Sequence, residues 1–399
     1  MTARPRIVCL APLPPPATGQ SVVTETFLAA LAEHANVETV DTADHAAVWR
    51  RPGTVRAARV AAWAGRLRDL RARVAGPPDA RPDAVYLTPA SSLLGLFRDA
   101  AALALVPRDV RVVAHVHVGD YGRLLSHPAW GGLARWTLAR FERVLVPSAY
   151  AAAGILGVAP HARVEVLPNP VPPDVRFTAA EEHAARAARR GQTPHVLFLS
   201  NMIPTKGYER LAHALAGLGG DGLGAGTVRA TFAGPWAPGT DRAAFEARLA
   251  ALGLGGHVAV VGAVDRAEVR ALLASADVLA FPSTYPHESF GLVMLEAMGA
   301  GVAVVAVRHA AAAELVRDRT DGRLADADPA ALTAALADAL VHREAYGASA
   351  AVRAREAFAT APLTAAFVAA VLGDGSGPAA GHRAAPAAAL SFGTPPAAR

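Results

Sequence analysis

The strongest constraint on this chain is a repeating alternation of short apolar runs with longer helical stretches. In the first half the runs are "RIVCLAPL", "VETVDT", "AVYLTP", "RVVAHVHV", "RVLVPS" and "RVEVLPN". In the second half they are "HVLFLSN", "VRATFAG", "HVAVVGAV", "DVLAFPS" and "VAVVAV". Strands so continuously apolar are buried on both faces, and the helices between them supply the cover, so the pattern predicts parallel α/β sheets. The series closes at "PNPVPPD", passes through an Ala-, Arg- and Glu-rich segment at 176–191, and starts again. Two Rossmann-like, doubly wound domains follow: residues 1–175 and 176–372, with the final helix able to cross back onto the first. Ligands of such sheets bind at the carboxyl ends of the strands, so the expected site is the cleft between the domains. Residues 373–399 are rich in Ala, Pro, Gly and Ser without periodicity and read as a disordered tail.

Composition agrees with two large cores. At 399 residues, with 52% hydrophobic and 18% charged residues, the chain exceeds what a single core accommodates. The net charge of +5 is uneven: residues 1–175 hold 19 Arg against 14 Asp and Glu, whereas the remainder holds 20 basic against 20 acidic. An acidic partner is therefore expected on the first domain. The pI of 9.8 suggests nucleic acid, but the basic excess is small and no nucleic-acid module is readable, so none is expected as a partner. The single cysteine, Cys9, excludes an internal disulfide and fits a reducing compartment. The longest apolar run, Ala297–Val307, is about half the roughly 20 residues a membrane span needs. The apolar stretch behind Arg4 and Arg6 runs into "PPP", too soon for a signal peptide. The chain reads as cytoplasmic.

The richest chemistry lies in "FPSTYPHESFGLVMLEAMGAGVAVVAV", residues 281–307. A strand ends at Phe281, a turn-rich loop follows, and a helix is expected from about Phe290. Glu288 then stands just before the helix and Glu296 about two turns inside it. Free N–H groups at such a helix start favour a phosphate, and two carboxylates beside it can accept from sugar hydroxyls. Against this, Glu296 could face solvent and Glu288 cap a turn. The loop "NMIPTKGYER" carries Lys206, the only lysine among 39 Lys and Arg residues. Either a bias toward Arg codons left it there by chance, or a compact point charge is wanted for an anionic ligand.

In combination, these stretches resemble glycosyltransferase family 4. Glu288 and Glu296, separated by seven residues, are similar to the family's E-x7-E signature. "RVLVPSAYAAAGILGVAPHARVEVLPNPV", with Asn169, "FLSNMIPTKG" and "ASADVLAFPS" are similar to its flanking segments, and the likeness covers roughly residues 5–372. The resemblance implies the GT-B fold and retaining transfer from a nucleotide-diphosphate sugar, with the donor as substrate and neither cofactor nor metal. It implies that Glu288 contacts the transferred sugar and Glu296 the ribose. The backbone of Ser289, Phe290, Gly291 and Leu292 would lie against sugar and phosphates, Lys206 would bind the diphosphate, and Gly19 would let the first-domain loop approach. A histidine beside the anomeric centre is implied as well. "AHVHVGD" offers His115 and His117 on one face of a strand, and His117 better matches the family position. A metal-binding pair, or two ordinary core or rim histidines, are the other readings.

Departures from the family pattern are Ser200-Asn201 for Gly-Arg, Gln20 for a second Gly, "RHAAAAE" where Gly-Gly is common, and Ala303 for Pro. The first removes one of two expected diphosphate cations. The triplet "DAD" at 326–328 imitates a metal motif, but Asp328 before Pro329 reads better as a helix cap. Residues 54–74 form an amphipathic pattern, with Val60, Trp63, Leu67, Leu70 and Val74 at helical spacing and six Arg elsewhere. That helix would either lie on an anionic membrane or pack on its own sheet. The expected function is glycosyl transfer to a carbohydrate or lipid-linked acceptor, with possible peripheral contact at the inner face of a membrane. The alternatives are a nucleotide-sugar epimerase or hydrolase on the same fold, or a non-catalytic relative.

Overall fold

The computed structural model describes residues 4–43, 57–221 and 228–373. The expected tail from 374 onward and residues 54–56 of the amphipathic segment lie outside the described residues. The first half runs β1 Arg6–Ala11, α1 Gly19–Ala32, β2 Asn36–Asp41, α2 Ala57–Val74, β3 Ala84–Leu87, α3 Leu93–Leu105, β4 Arg111–His115, α4 Tyr121–Leu125, α5 Gly131–Ala139, β5 Arg143–Val146, α6 Ala149–Leu156 and β6 Val164–Val166. After α7 Ala179–Arg189 come β7 His195–Leu199, α8 Tyr208–Gly217, β8 Arg229–Ala233, α9 Arg242–Ala251, β9 Val258–Gly262, α10 Arg266–Ser275 and β10 Val278–Phe281. The chain ends through α11 Leu292–Gly299, β11 Ala303–Val307, α12 Ala312–Leu315, β12 Gly322–Ala325, α13 Pro329–Val341, α14 Arg343–Ala357 and α15 Thr360–Leu372.

All pairings are parallel, in two six-stranded sheets ordered β2-β1-β3-β4-β5-β6 and β12-β11-β10-β7-β8-β9. The strand order reverses between β1 and β3 in the first sheet and between β7 and β10 in the second. Each reversal leaves a crevice at the carboxyl ends of its two strands, because the following helices go to opposite faces. The strand β12 was not legible in the sequence. It is a four-residue edge strand interrupted by Arg323, too short and too polar to stand out.

Each sheet is covered on both faces. In the second, Leu197, Leu279, Val304 and Met298 build one core, and Phe198, Phe232, Leu211 and Leu336 the other. In the first, Val8, Leu87 and Ile155 face one way, and Ile7, Tyr86 and Phe27 the other. The core containing Ile7, Tyr86 and Phe27 is completed by the end of the chain. Phe367 of α15 stacks on Phe27 at 4.7 Å and meets Tyr86 edge-on at 5.2 Å between ring centroids. Burial of that one ring contributes about 2–3 kcal/mol.

By length and hydropathy the stretch Arg343–Leu372 could cross a membrane. It is broken at Phe358 and Ala359, however. α14 packs against α11 and β11, while α15 packs against α1 and β3, so its apolar side is an internal interface. Of the amphipathic segment, Leu70 and Val74 are fully buried under the first sheet and Leu67 packs beside them. The Trp63 ring is covered by Arg66 and Arg98, at 5.0 and 4.8 Å from its centre. The described apolar side of α2 is therefore used within the domain; the side chain of Val60 lies outside the described residues.

Candidate functional site

The β7 and β10 strands flank the reversal of the second sheet, and the loops that follow them carry Lys206 and Glu288. Lys206 ends a short turn at 204–206, and its Nζ donates to Glu288 Oε2 at 2.5 Å. Both side chains are largely enclosed, 12% and 13% exposed. The Tyr285 ring lies 4.6 Å from the ammonium and Phe281 5.6 Å, so the cation rests against aromatic faces as well as a carboxylate. This placement does not suit a residue left by chance on a solvated loop. Asn201 is exposed, and no cation from that position joins Lys206.

Helix α11 begins at Leu292, two residues after Phe290. Gly291 takes a left-handed conformation, φ +79°, which interrupts helical geometry just before it. Glu296 therefore lies a little over one turn inside the helix rather than two. Among the described residues the N–H groups of Ser289, Phe290, Gly291 and Leu292 have no protein acceptor. They are unpaired donors in the segment that directly follows Glu288, the partner of Lys206. Glu296 does not face solvent: it is 3% exposed, and its Oε1 accepts from Arg266 Nη2 at 2.9 Å. Burial raises its pKa, and the Arg266 charge works in the opposite direction.

From the first domain, Gly19 opens α1 directly over Leu292; a Cβ there would lie 3.8 Å from Leu292 Cδ2. His115 and His117 share a face, with ring centroids 4.0 Å apart, but occupy different surroundings. His115 is fully buried, its Nδ1 3.1 Å from the Tyr86 hydroxyl. His117, just past β4, is half-buried at the rim, and burial lowers its pKa to about 4, so it is neutral at pH 7. Its backbone carbonyl accepts from the Ser289 hydroxyl at 2.7 Å. Among the described residues no group of three or more His, Cys, Asp or Glu could hold a metal ion. Asp328 caps α13, accepting from Ala331 N–H at 2.9 Å with Pro329 as the first helical residue.

Several residues that join the two domains were missed in the sequence. Ser148 Oγ donates to the Ser289 carbonyl at 2.8 Å. The Glu314 carboxylate accepts from the N–H groups of Ala149 and Tyr150, each at 2.7 Å, capping α6 from the opposite domain. Asp120 Oδ2 lies 2.8 Å from His287 Nδ1. Gly119 packs so closely that a Cβ there would sit 2.0 Å from the Glu288 carbonyl oxygen. Partners this far apart along the chain leave no local pattern; the only signal was the polar cluster around Glu288 itself. Beside this junction, at the reversal of the first sheet, is a cavity of about 390 Å3. It is lined by the loops after β1 and β3, by Gln20 and by Arg98.

Two doubly wound domains with their crevices opposed are the GT-B arrangement, and solved structures of that fold superimpose on most of the chain. Residues 17–175 match the family described as Glycosyltransferase Family 4, and residues 180–356 match Glycosyl transferases group 1. The chain belongs to glycosyltransferase family 4. It is 45% identical over 89 residues to the phosphatidyl-myo-inositol mannosyltransferase of Mycobacterium tuberculosis, covering 22% of this chain and 23% of that protein. It is 32% identical over 217 residues to the GDP-mannose-dependent alpha-(1-6)-phosphatidylinositol monomannoside mannosyltransferase of Mycolicibacterium smegmatis, 52% of each chain. The chain thus matches between about a quarter and a half of the length of these curated relatives. Sucrose-phosphate synthase from Thermosynechococcus elongatus superimposes with a TM-score of 0.68 at 18% identity, over 90% of this chain and 96% of that one.

Proposed function

We propose that the chain is a retaining, metal-independent glycosyltransferase that moves a sugar from a nucleoside-diphosphate sugar to a lipid-linked acceptor. The observation that carries this reading is the Lys206–Glu288 pair at the crevice of the second sheet, beside the free N–H groups that open α11. Cleavage of a sugar–diphosphate bond builds negative charge on the leaving oxygens. A preplaced ammonium and a row of backbone donors stabilise that charge without reorganisation. In the bound state Lys206 would turn from Glu288 toward the diphosphate, freeing the Glu288 carboxylate for sugar hydroxyls. Glu296 would accept from the ribose. Neutral His117, on the facing domain, would hydrogen-bond near the anomeric carbon, and Gly19 would let α1 close over the donor.

The acceptor would enter the first-domain cavity beside Arg98. The names of the mycobacterial relatives support a hexose donor and a phosphatidylinositol-type acceptor. Leu93, Leu94 and Phe97 at the start of α3 are 40, 47 and 43% exposed, and Phe97 meets Trp130 at 5.2 Å. With Arg98 next to Phe97, this tip would touch the inner face of an anionic membrane from the cytoplasm, in place of the packed face of α2.

The test is to incubate the protein with GDP-mannose, UDP-glucose or ADP-glucose, with and without vesicles containing phosphatidylinositol, and to analyse products by mass and NMR. Transfer to lipid with the donor's anomeric configuration kept, undiminished by EDTA, is the expected result. Free sugar alone would indicate a hydrolase, and an isomerised donor an epimerase; either would overturn the reading.

A further inference from the structure

We infer that Arg266 is a positioning residue for the donor: it fixes the Glu296 carboxylate for the ribose and ties that carboxylate to the segment joining the two domains. The inference rests on the donor-site reading above and adds to it a residue that no motif pointed to. Arg266 is the first residue of α10, whose start is set by Asp265, a cap accepting from Glu268 N–H at 2.8 Å. Its guanidinium makes a fork to Asp174, Nε to Oδ2 at 2.7 Å and Nη2 to Oδ1 at 3.0 Å. The same Nη2 donates to Glu296 Oε1 at 2.9 Å. Asp174 lies in the connection between β6 and α7, the first of the two crossings between domains. One turn along α10, Arg270 stacks on Phe177 at 4.4 Å and pairs with Glu181 at 2.7 Å, so the helix grips the connection twice.

The charged groups that face Glu296 are Arg266 from α10 and Asp174 from the connection. A carboxylate this deeply buried is costly without a paired cation and would otherwise take up a proton. Asp174 adds a like charge that pushes the same way. Burial also opposes the Arg266 charge, but its two carboxylate partners outweigh it and raise its pKa. Arg266 therefore works against the rise that burial gives Glu296, and its hydrogen bond holds the carboxylate in one orientation. The planar fork holds Asp174 bidentately while reaching Glu296, a fixed geometry that a compact ammonium matches less well.

A residue that only clamped the connection would affect every ligand alike. The positioning role affects only ligands with a ribose. GDP, UDP, ADP and inorganic pyrophosphate are therefore titrated calorimetrically into the full chain, as wild type, Arg266→Gln, Arg266→Lys and Asp174→Asn, between pH 5.5 and 8. For whichever nucleotide wild type binds, Arg266→Gln should weaken binding roughly 10–100-fold at pH 7, the scale of a charge-assisted hydrogen bond. Pyrophosphate affinity should stay within about threefold. Because loss of the Arg266 charge lets Glu296 protonate at higher pH, the acid fall in nucleotide affinity should begin at higher pH than in wild type. Arg266→Lys should show a smaller, equally ribose-selective loss, and it decides the matter if Arg266→Gln does not fold. Equal losses for pyrophosphate and nucleotide, or nucleotide binding within twofold of wild type, would overturn the inference. A wild type that binds none of the three nucleotides overturns the donor-site reading, and this inference with it.

Discussion

Replacing Gly119 by alanine inserts a methyl group where the two domains touch. The new carbon would lie 2.0 Å from the Glu288 carbonyl oxygen, 2.9 Å from its carbon and 3.1 Å from Tyr150 Cε1. Ordinary contact needs roughly 3.5 Å, so the two backbones must part by about 1–1.5 Å. The closest atoms are main chain, and no rotamer can absorb the strain. Overpacking of this kind costs about 1–3 kcal/mol. Here it is relieved by opening the cleft, so the cost falls on the closed arrangement and not on either domain. Glu288 would then stand about 1 Å too far from His117, a displacement worth on the order of 10²-fold in rate. Gly119→Ala should therefore lower kcat/KM for sugar transfer about 10²-fold. Affinity for the free nucleotide should fall far less than turnover, because Lys206, Glu288 and Glu296 all belong to the second domain and only Gly19 meets the nucleotide part of the donor from the first. Steady-state transfer assays with calorimetric titration of the nucleotide measure both. Transfer within threefold of wild type, or loss of nucleotide binding in step with turnover, would refute the reasoning.

Other substitutions probe separate parts of the account. Glu288→Ala should mainly slow turnover, whereas Glu296→Ala should weaken nucleotide binding by about 1.5–3 kcal/mol; unchanged nucleotide affinity in Glu296→Ala would sink its ribose assignment. Ala310 holds φ +49°, a conformation costly for any residue with a Cβ. Ala310→Gly should stabilise the fold by about 0.5–1 kcal/mol and raise the melting temperature by about 1–3 °C; a lowered melting temperature would contradict this. The pair Leu94→Glu and Phe97→Glu should abolish sedimentation with anionic vesicles while leaving nucleotide affinity intact. Undiminished sedimentation would remove the α3 tip from any membrane role.

The strands other than β12 were readable because buried parallel strands are nearly all apolar, and the restart at "HVLFLSN" marked the second sheet; their order within each sheet was not. The edge strand β12 was not readable, since an edge needs no such composition. Lys206 and Glu288 were legible as candidates because each sits in a loop after a strand. Their contact was not, because only the sheet order places β7 beside β10. The unusual "RHAAAAE" was noticed as a departure from Gly-Gly. In the structure Ala310 takes a left-handed conformation, φ +49°, which glycine adopts more readily. Arg266 lay beyond sequence reasoning altogether. It is one arginine among many, and its partners Asp174 and Glu296 are distant in sequence. Ser148, Asp120 and Glu314 escaped for the same reason: each meets its partner across the cleft.

The most direct measurement of the central claim is kcat/KM for sugar transfer by wild type, Lys206→Ala and Lys206→Arg, with the donor and acceptor found by product analysis. With Asn201 where the family usually has Arg, Lys206 should carry more of the leaving diphosphate's charge than in relatives that have both cations. Lys206→Ala is predicted to lose about 10²–10³-fold, the scale of one leaving-group stabiliser, with the variant still folded by its melting temperature. Lys206→Arg should recover only part of the loss, since a planar fork does not replace a compact ammonium against Tyr285. Transfer by Lys206→Ala within a few-fold of wild type would mean that the diphosphate is held elsewhere, and the assignment of this crevice as the donor site would be wrong.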